Sequence, residues 1–156
     1  MKHVFWLVPG AVAGRTGPDR HPWDAGELRA GGIGAVLSVN DGGACHGEDF
    51  AALGMAYRCI PLSDNAPPLD GDIAHCLRAL SAAYGYVRGE LDKDRAVLVH
   101  CRSGKDRTGL FMCYFLIRES GVTAEDAIKA VRRVRPIALS AEGWEELAAA
   151  VLEAAG

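Results

Sequence analysis

A chain of 156 residues, 49% hydrophobic and 24% charged, is long enough for one domain with a proper core and short for two. Its 17 Lys and Arg against 20 Asp and Glu give a formal net charge of −3, which argues against a nucleic-acid binder and its basic footprint. Five cysteines without C-x-x-C spacing argue against a disulfide framework or a zinc site and fit reduced thiols in the cytoplasm.

In chain order, the apolar run at residues 4–8 (VFWLV) predicts a first strand, and Pro9-Gly10 a turn into a second at 11–14. The run also has Lys2 before it and Ala11-Val12-Ala13 after it. Pro9-Gly10 nevertheless cuts it short of the ~7–15 residues of a secretory leader, so it reads as strand and turn. Residues 15–22 are rich in Gly, Pro and charge and read as loop. A short helix is expected at 23–30, with Asp24 near its start and Gly31-Gly32 as its stop. A buried strand at 35–39 ends in the turn cluster Asn40-Asp41-Gly42-Gly43, and a short helix follows at 48–53. Residues 57–62 read as a strand ended by Pro61, and 63–68 (SDNAPP) as turn chemistry. Ile73, Leu77, Leu80, Tyr84 and Val87 recur at helical spacing, predicting one long helix over about 70–91.

A short apolar strand at 96–100 runs into Cys101, and residues 110–118 are apolar almost all round, as a central buried helix should be. Thr123 with Asp126 resembles an N-cap opening a helix at 124–134, and 142–155 makes the last one. No run approaches the ~18 apolar residues of a membrane helix. Strands separated by helices predict one α/β domain over 1–156: a central, mainly parallel twisted sheet of about five strands with helices on both faces. Ligands then bind beyond the carboxyl ends of the strands. Cys101 stands at one such end and Asp64 just past another, so two unconnected loops should converge on one rim.

The segment CRSGKDR, residues 101–107, gathers three cations between two apolar elements. A loop of this length from strand to helix can turn its backbone N–H groups inward around an anion, and the helix start adds its positive dipole end. Gly104 permits a conformation or close approach that a side chain would obstruct. Arg107 can offer its planar fork to two phosphate oxygens. The same field is expected to ionise the Cys101 thiol at neutral pH, below the phosphorus of a bound monoester. Thr108 could donate to the sulfur and make it a better leaving group. His100 would orient the loop through backbone contacts.

With its flanking residues, HCRSGKDRTG resembles the H-C-x5-R-[ST]-G signature of the protein tyrosine phosphatase superfamily, and the chain as a whole is similar to its small atypical dual-specificity members. WLVPGAVAG resembles their opening hairpin, IPLSDNAPP their general-acid loop and AIKAVRRVRP the helix before their final segment. The resemblance implies one dual-specificity-phosphatase-like catalytic domain. In it Cys101 would be the nucleophile, Arg107 the phosphate clamp, Thr108 the sulfur donor and Asp64 the general acid and base. It implies a metal-independent phosphomonoesterase working through a phosphocysteine, without cofactor, acting on a phosphorylated protein or a small phosphomonoester. A monomer is expected, with neither nucleic acid nor membrane as partner.

Expelling an alkoxide or phenolate needs a positioned acid, which supports Asp64 independently. Asp70 and Asp72 lie at a helix start, where Asp commonly caps, and Asn65 either positions water or serves the turn. Arg102 is a rim cation for substrate or a surface ion-pair residue, and Ser103 and Gly104 are expected to bind substrate as part of the loop. Lys105 and Asp106 either recognise a second phosphate, as in inositol headgroups, or face water. Cys45 reads as a buried thiol, or else as a partner for a protective disulfide with Cys101. Trp6, Trp23 and Trp144 read as packing residues, and Arg132, Arg133 and Arg135 as helix-end cations or a docking face. Two other functions compete. One is a phosphate-binding pseudoenzyme, which would need neither nucleophile nor acid. The other is a rhodanese-like or arsenate-handling enzyme, which the separate acid and the long loop fit less well.

Overall fold

The computed structural model describes residues 1–155. Its centre is a five-stranded sheet in the order β1-β2-β5-β3-β4, from strands β1 (Phe5–Val8), β2 (Val12–Thr16), β3 (Ile33–Ser38), β4 (Ala56–Cys59) and β5 (Ala96–Cys101). The β1–β2 hairpin is antiparallel and every other pairing is parallel, with β5 central. The helices are α1 (Ala25–Ala30), α2 (Gly47–Ala51), α3 (Asp72–Leu91), α4 (Arg107–Ser120), α5 (Ala124–Val134) and α6 (Trp144–Ala155).

Side-chain alternation along the strands sorts the core into two layers. Val12, Leu37, Val97 and Val99 face α3 to α6, whereas Ala13, Val36 and Leu98 face α1 and α2. The same alternation at the end of β5 turns His100 toward the second layer and Cys101 toward the first. Strands buried on both faces read as continuous apolar runs, which is why β3 and β5 were legible without a period-two pattern.

Several boundaries differ from the expected ones. Arg15 and Thr16, read as loop, complete β2 because they pair with His100 and Cys101 across the sheet. Strand β3 starts at Ile33, two glycines notwithstanding, and β4 stops at Cys59, before Pro61. Helix α4 begins at Arg107, so three polar or small residues precede its apolar body. Thr123 caps α5 as expected, its side chain accepting from Asp126 N at 3.1 Å. Asp72 does not cap α3: its carboxylate turns back on the preceding loop, accepting from Leu69 N at 2.5 Å and from Asn65 Nδ2 at 3.2 Å.

Candidate active site

The loop after β5 is held from outside, one carbonyl at a time. Cys101 O meets His100 Nδ1 at 3.2 Å, and Arg102 O accepts from Gly17 N at 3.0 Å. Arg135 reaches across from the end of α5, its Nη2 donating to Ser103 O at 2.7 Å and its Nε to Gly104 O at 3.1 Å. Lys105 O accepts from Leu139 N and Gly109 N, each at 3.2 Å, and Asp106 O from Leu110 N at 2.8 Å. A trans peptide carries its C=O and the next N–H on opposite sides. With every carbonyl from Cys101 to Asp106 bonded outward, the amides of residues 102–107 turn to the loop interior, as an anion cradle needs.

Two glycines make this wrapping possible. Gly104 has φ +63, and a Cβ there would lie 2.6 Å from the Arg15 carbonyl oxygen. A Cβ on Gly17 would lie 2.6 Å from Cys101 O and 2.4 Å from Asp41 Oδ2. The approaches to the Arg15 and Cys101 carbonyl oxygens are to backbone that cannot yield without moving the loop.

Beneath the cradle, the Thr108 hydroxyl donates to Cys101 Sγ at 3.0 Å, and both residues are buried. Arg107 opens α4 with its Nε donating to Ser63 O at 2.7 Å and its guanidinium 4.8 Å from the centre of the Trp144 ring. Neither terminal nitrogen of its fork has a hydrogen-bond partner among the described residues. Asp64 stands between Ser63 and Asn65, exposed, with Oδ1 accepting from Asn40 Nδ2. The structure therefore brings Asp64, Arg107, Thr108 and Cys101 to one rim at the carboxyl ends of the strands.

Lys105 and Asp106 neither face water nor stand free for a second anion. Lys105 Nζ binds Asp106 Oδ2 at 2.8 Å and Ser140 Oγ at 3.1 Å. Asp106 is 4% exposed, and its other oxygen accepts from Ala141 N at 3.1 Å. The pair fastens the loop to the chain before α6. Arg102 alone projects outward, its side chain 64% exposed and 3.8 Å from Asp19.

On the other side of the sheet His100 closes a second network. Its Nε2 lies 2.5 Å from Ser38 Oγ, which in turn lies 2.8 Å from Tyr57 OH. Trp23 packs edge-on at 4.7 Å. Burial holds the imidazole far below its usual range, at about 4, so the ring is neutral. A neutral ring donating from Nδ1 to Cys101 O must accept at Nε2, which orders the chain Tyr57 to Ser38 to His100. Cys45 Sγ lies 3.4 Å from this same Nε2 and belongs to the layer facing α1 and α2, across the sheet from Cys101. All five cysteines are free thiols; Cys45 is a half-buried thiol in its layer, and the alternative of a disulfide with Cys101 is opposed by this separation of faces.

The neutral His100 has a consequence for stability. Its folded pKa of about 4 lies below the ordinary 6.5, so the unfolded chain binds more protons between these values and stability falls as pH drops through that window. From pH 7 to pH 5 the loss from this group is about 2 kcal/mol. Urea unfolding at both pH values should show that loss in the wild type and a flatter dependence in His100→Asn. Parallel dependences in the two proteins would rule out His100 as its source.

Sequence reasoning missed Arg135, Trp144, Ser38 and Tyr57. Arg135 read as a helix-end cation and Trp144 as packing. Both act through contacts across about thirty residues of chain or more, with loops that lack local periodicity.

Residues 29–150 match the family described as dual specificity phosphatase, catalytic domain. The chain is 30% identical over 144 residues to dual specificity protein phosphatase 12 of Mus musculus, covering 92% of this chain and 39% of that protein. Among solved structures it is similar to Tk-PTP in its active form, with a TM-score of 0.76 at 20% identity, covering 97% of both chains. It is also similar to human DUSP28, with a TM-score of 0.72 at 19% identity over 99% of this chain and 95% of that one. At these identities the structural likenesses speak to the fold.

Proposed function

The chain belongs to the dual specificity phosphatase catalytic-domain family, and we propose from that premise that it hydrolyses phosphate monoesters through a covalent phosphocysteine at Cys101. The single observation that carries this reading is the Thr108–Cys101 contact of 3.0 Å at the base of the inward-facing amides. It supplies a sulfur beneath the anion and a donor to stabilise that sulfur as it departs.

In the first step the Cys101 thiolate attacks phosphorus, forming an S–P bond as the ester P–O bond breaks. The loop amides and the Arg107 terminal nitrogens hold the equatorial oxygens where charge accumulates. Asp64, as the acid, gives its proton to the leaving oxygen. In the second step water attacks phosphorus, Asp64 takes a proton from it, and the S–P bond breaks. Inorganic phosphate leaves and the thiolate is restored, with Thr108 donating to it. The charge on phosphate is balanced by the protein's own donors, so turnover is expected to persist in EDTA. Hydrolysis of p-nitrophenyl phosphate in EDTA at pH 5–7 tests this, and no turnover by pure protein would sink it.

For Asp64, the expected result is selective. Asp64→Ala should slow turnover by roughly 10²-fold or more on phenyl or alkyl phosphates, which need a proton donor, and far less on p-nitrophenyl phosphate. Equal losses on both would remove Asp64 from the acid role.

A phosphorylated protein or small monoester fits the site better than a multiply phosphorylated inositol headgroup. The Lys105 ammonium that would meet a second phosphate is already paired with Asp106. A panel of phosphotyrosine, phosphoserine and phosphothreonine peptides with phosphoinositides tests the preference; faster turnover of the phosphoinositides would reverse it. The need for a reduced Cys101 supports action in the cytoplasm.

A further inference from the structure

Asp64 lies in an irregular loop, yet the backbone around it is pinned at each successive peptide. The peptide before it is held by Arg107 Nε on Ser63 O at 2.7 Å. The peptide after it is held by Asn65 N on Ser63 Oγ at 3.1 Å. The next is held by the indole Nε1 of Trp144 on Asn65 O at 3.0 Å. Arg107 and Trp144 also touch each other, the guanidinium lying over the indole. The phosphate clamp and the acid loop therefore share one bracket, and Trp144 is the member that comes from α6.

We propose that Trp144 is a positioning residue for the acid step: it fixes Asp64 against the phosphate loop and ties that placement to Arg107. The proposal rests on the reading of Asp64 as general acid. Trp144 is fully buried at 0% exposure, and a buried indole N–H left without an acceptor is costly, so the Asn65 carbonyl has one favoured position. Aliphatic packing would fill the same volume without that directional demand. Stacking under Arg107 leaves the fork's two terminal nitrogens clear, so a bound phosphate draws on the same arginine that holds Ser63. An acid held in reach before substrate arrives does not have to be ordered during the reaction.

Trp144→Phe keeps the ring and removes the N–H. On phenyl phosphate kcat/KM should fall about tenfold, and on p-nitrophenyl phosphate less than about threefold, with inhibition by inorganic phosphate little changed. The dependence on leaving group should steepen toward that of Asp64→Ala, and Asp64→Ala/Trp144→Phe should lose no more on phenyl phosphate than Asp64→Ala alone. Uniform loss in Trp144→Phe, beside selective loss in Asp64→Ala, would overturn the proposal and leave the acid reading intact. Uniform loss in Asp64→Ala would overturn the acid reading and the proposal together. Should Trp144→Phe fail to fold, the wild type still decides. Its indole N–H proton should exchange slowly, and more slowly with inorganic phosphate bound; exchange indifferent to phosphate would overturn the coupling.

Discussion

Cys101→Ser should abolish turnover, lowering kcat by about 10⁴-fold or more, while the protein still binds inorganic phosphate. The two halves of this expectation come from different parts of the site. Serine keeps the shape at position 101 but presents a neutral hydroxyl at neutral pH, with no base in contact to ionise it. Thr108 is a donor to the sulfur and cannot take a proton from a serine in its place. The cradle meanwhile owes nothing to the thiol: its amides are turned inward by Gly17, Arg135, Leu139 and the first turn of α4, and all of these survive the change. Steady-state kinetics gives the first half and calorimetric titration with phosphate the second. Turnover within tenfold of wild type would displace Cys101 as nucleophile. Lost phosphate binding would show that the thiol, and not the backbone, carries the anion.

The parts of this site that were legible in the sequence are those encoded by neighbours in the chain. An apolar strand, a cysteine at its end, a glycine at the tight point, Arg107 and Thr108 at a helix start all lie within one continuous stretch, and their chemistry follows from adjacency. The alternation of β5 likewise carries the opposed faces of His100 and Cys101. Helix α3 was readable from its stripe because Leu80 and Val87 are buried and Leu77 and Tyr84 pack against the core, although Ile73 on the same stripe is exposed and the helix start slipped by about two residues where Asp72 turns back to the loop.

What stayed hidden depends on residues distant in sequence. Arg135 follows an ordinary basic helix end, and nothing local shows that its fork reaches Ser103 and Gly104. Asp106 reads as either part of a second phosphate site or a group facing water, since Asp is seldom buried, yet Lys105 and the Ala141 amide together satisfy it inside the protein. Thr16 was assigned to a loop from its Gly- and Pro-rich surroundings, whereas tertiary pairing with Cys101 extends the strand through it. In each case a contact across the fold overrides a correct local propensity.

Arg107→Lys should then cost roughly 10³-fold in kcat, although the charge is conserved. A lysine ammonium is a point charge on a flexible stem and cannot span two phosphate oxygens in one plane. It also lacks the Nε that holds Ser63 O and the flat face that stacks on Trp144, so the acid loop loosens at the same time. These two losses separate experimentally. Loss of the clamp acts on every substrate, because charge builds on the phosphoryl oxygens whatever the leaving group. Loss of the hold on Ser63 adds a further penalty only where the leaving oxygen needs a proton. Arg107→Lys should therefore be poor on p-nitrophenyl phosphate and poorer still on phenyl phosphate, with weaker inhibition by inorganic phosphate. Activity within about fivefold of wild type on both would mean that positive charge alone suffices, and the planar fork would no longer be needed to explain why an arginine stands where the phosphate loop becomes a helix.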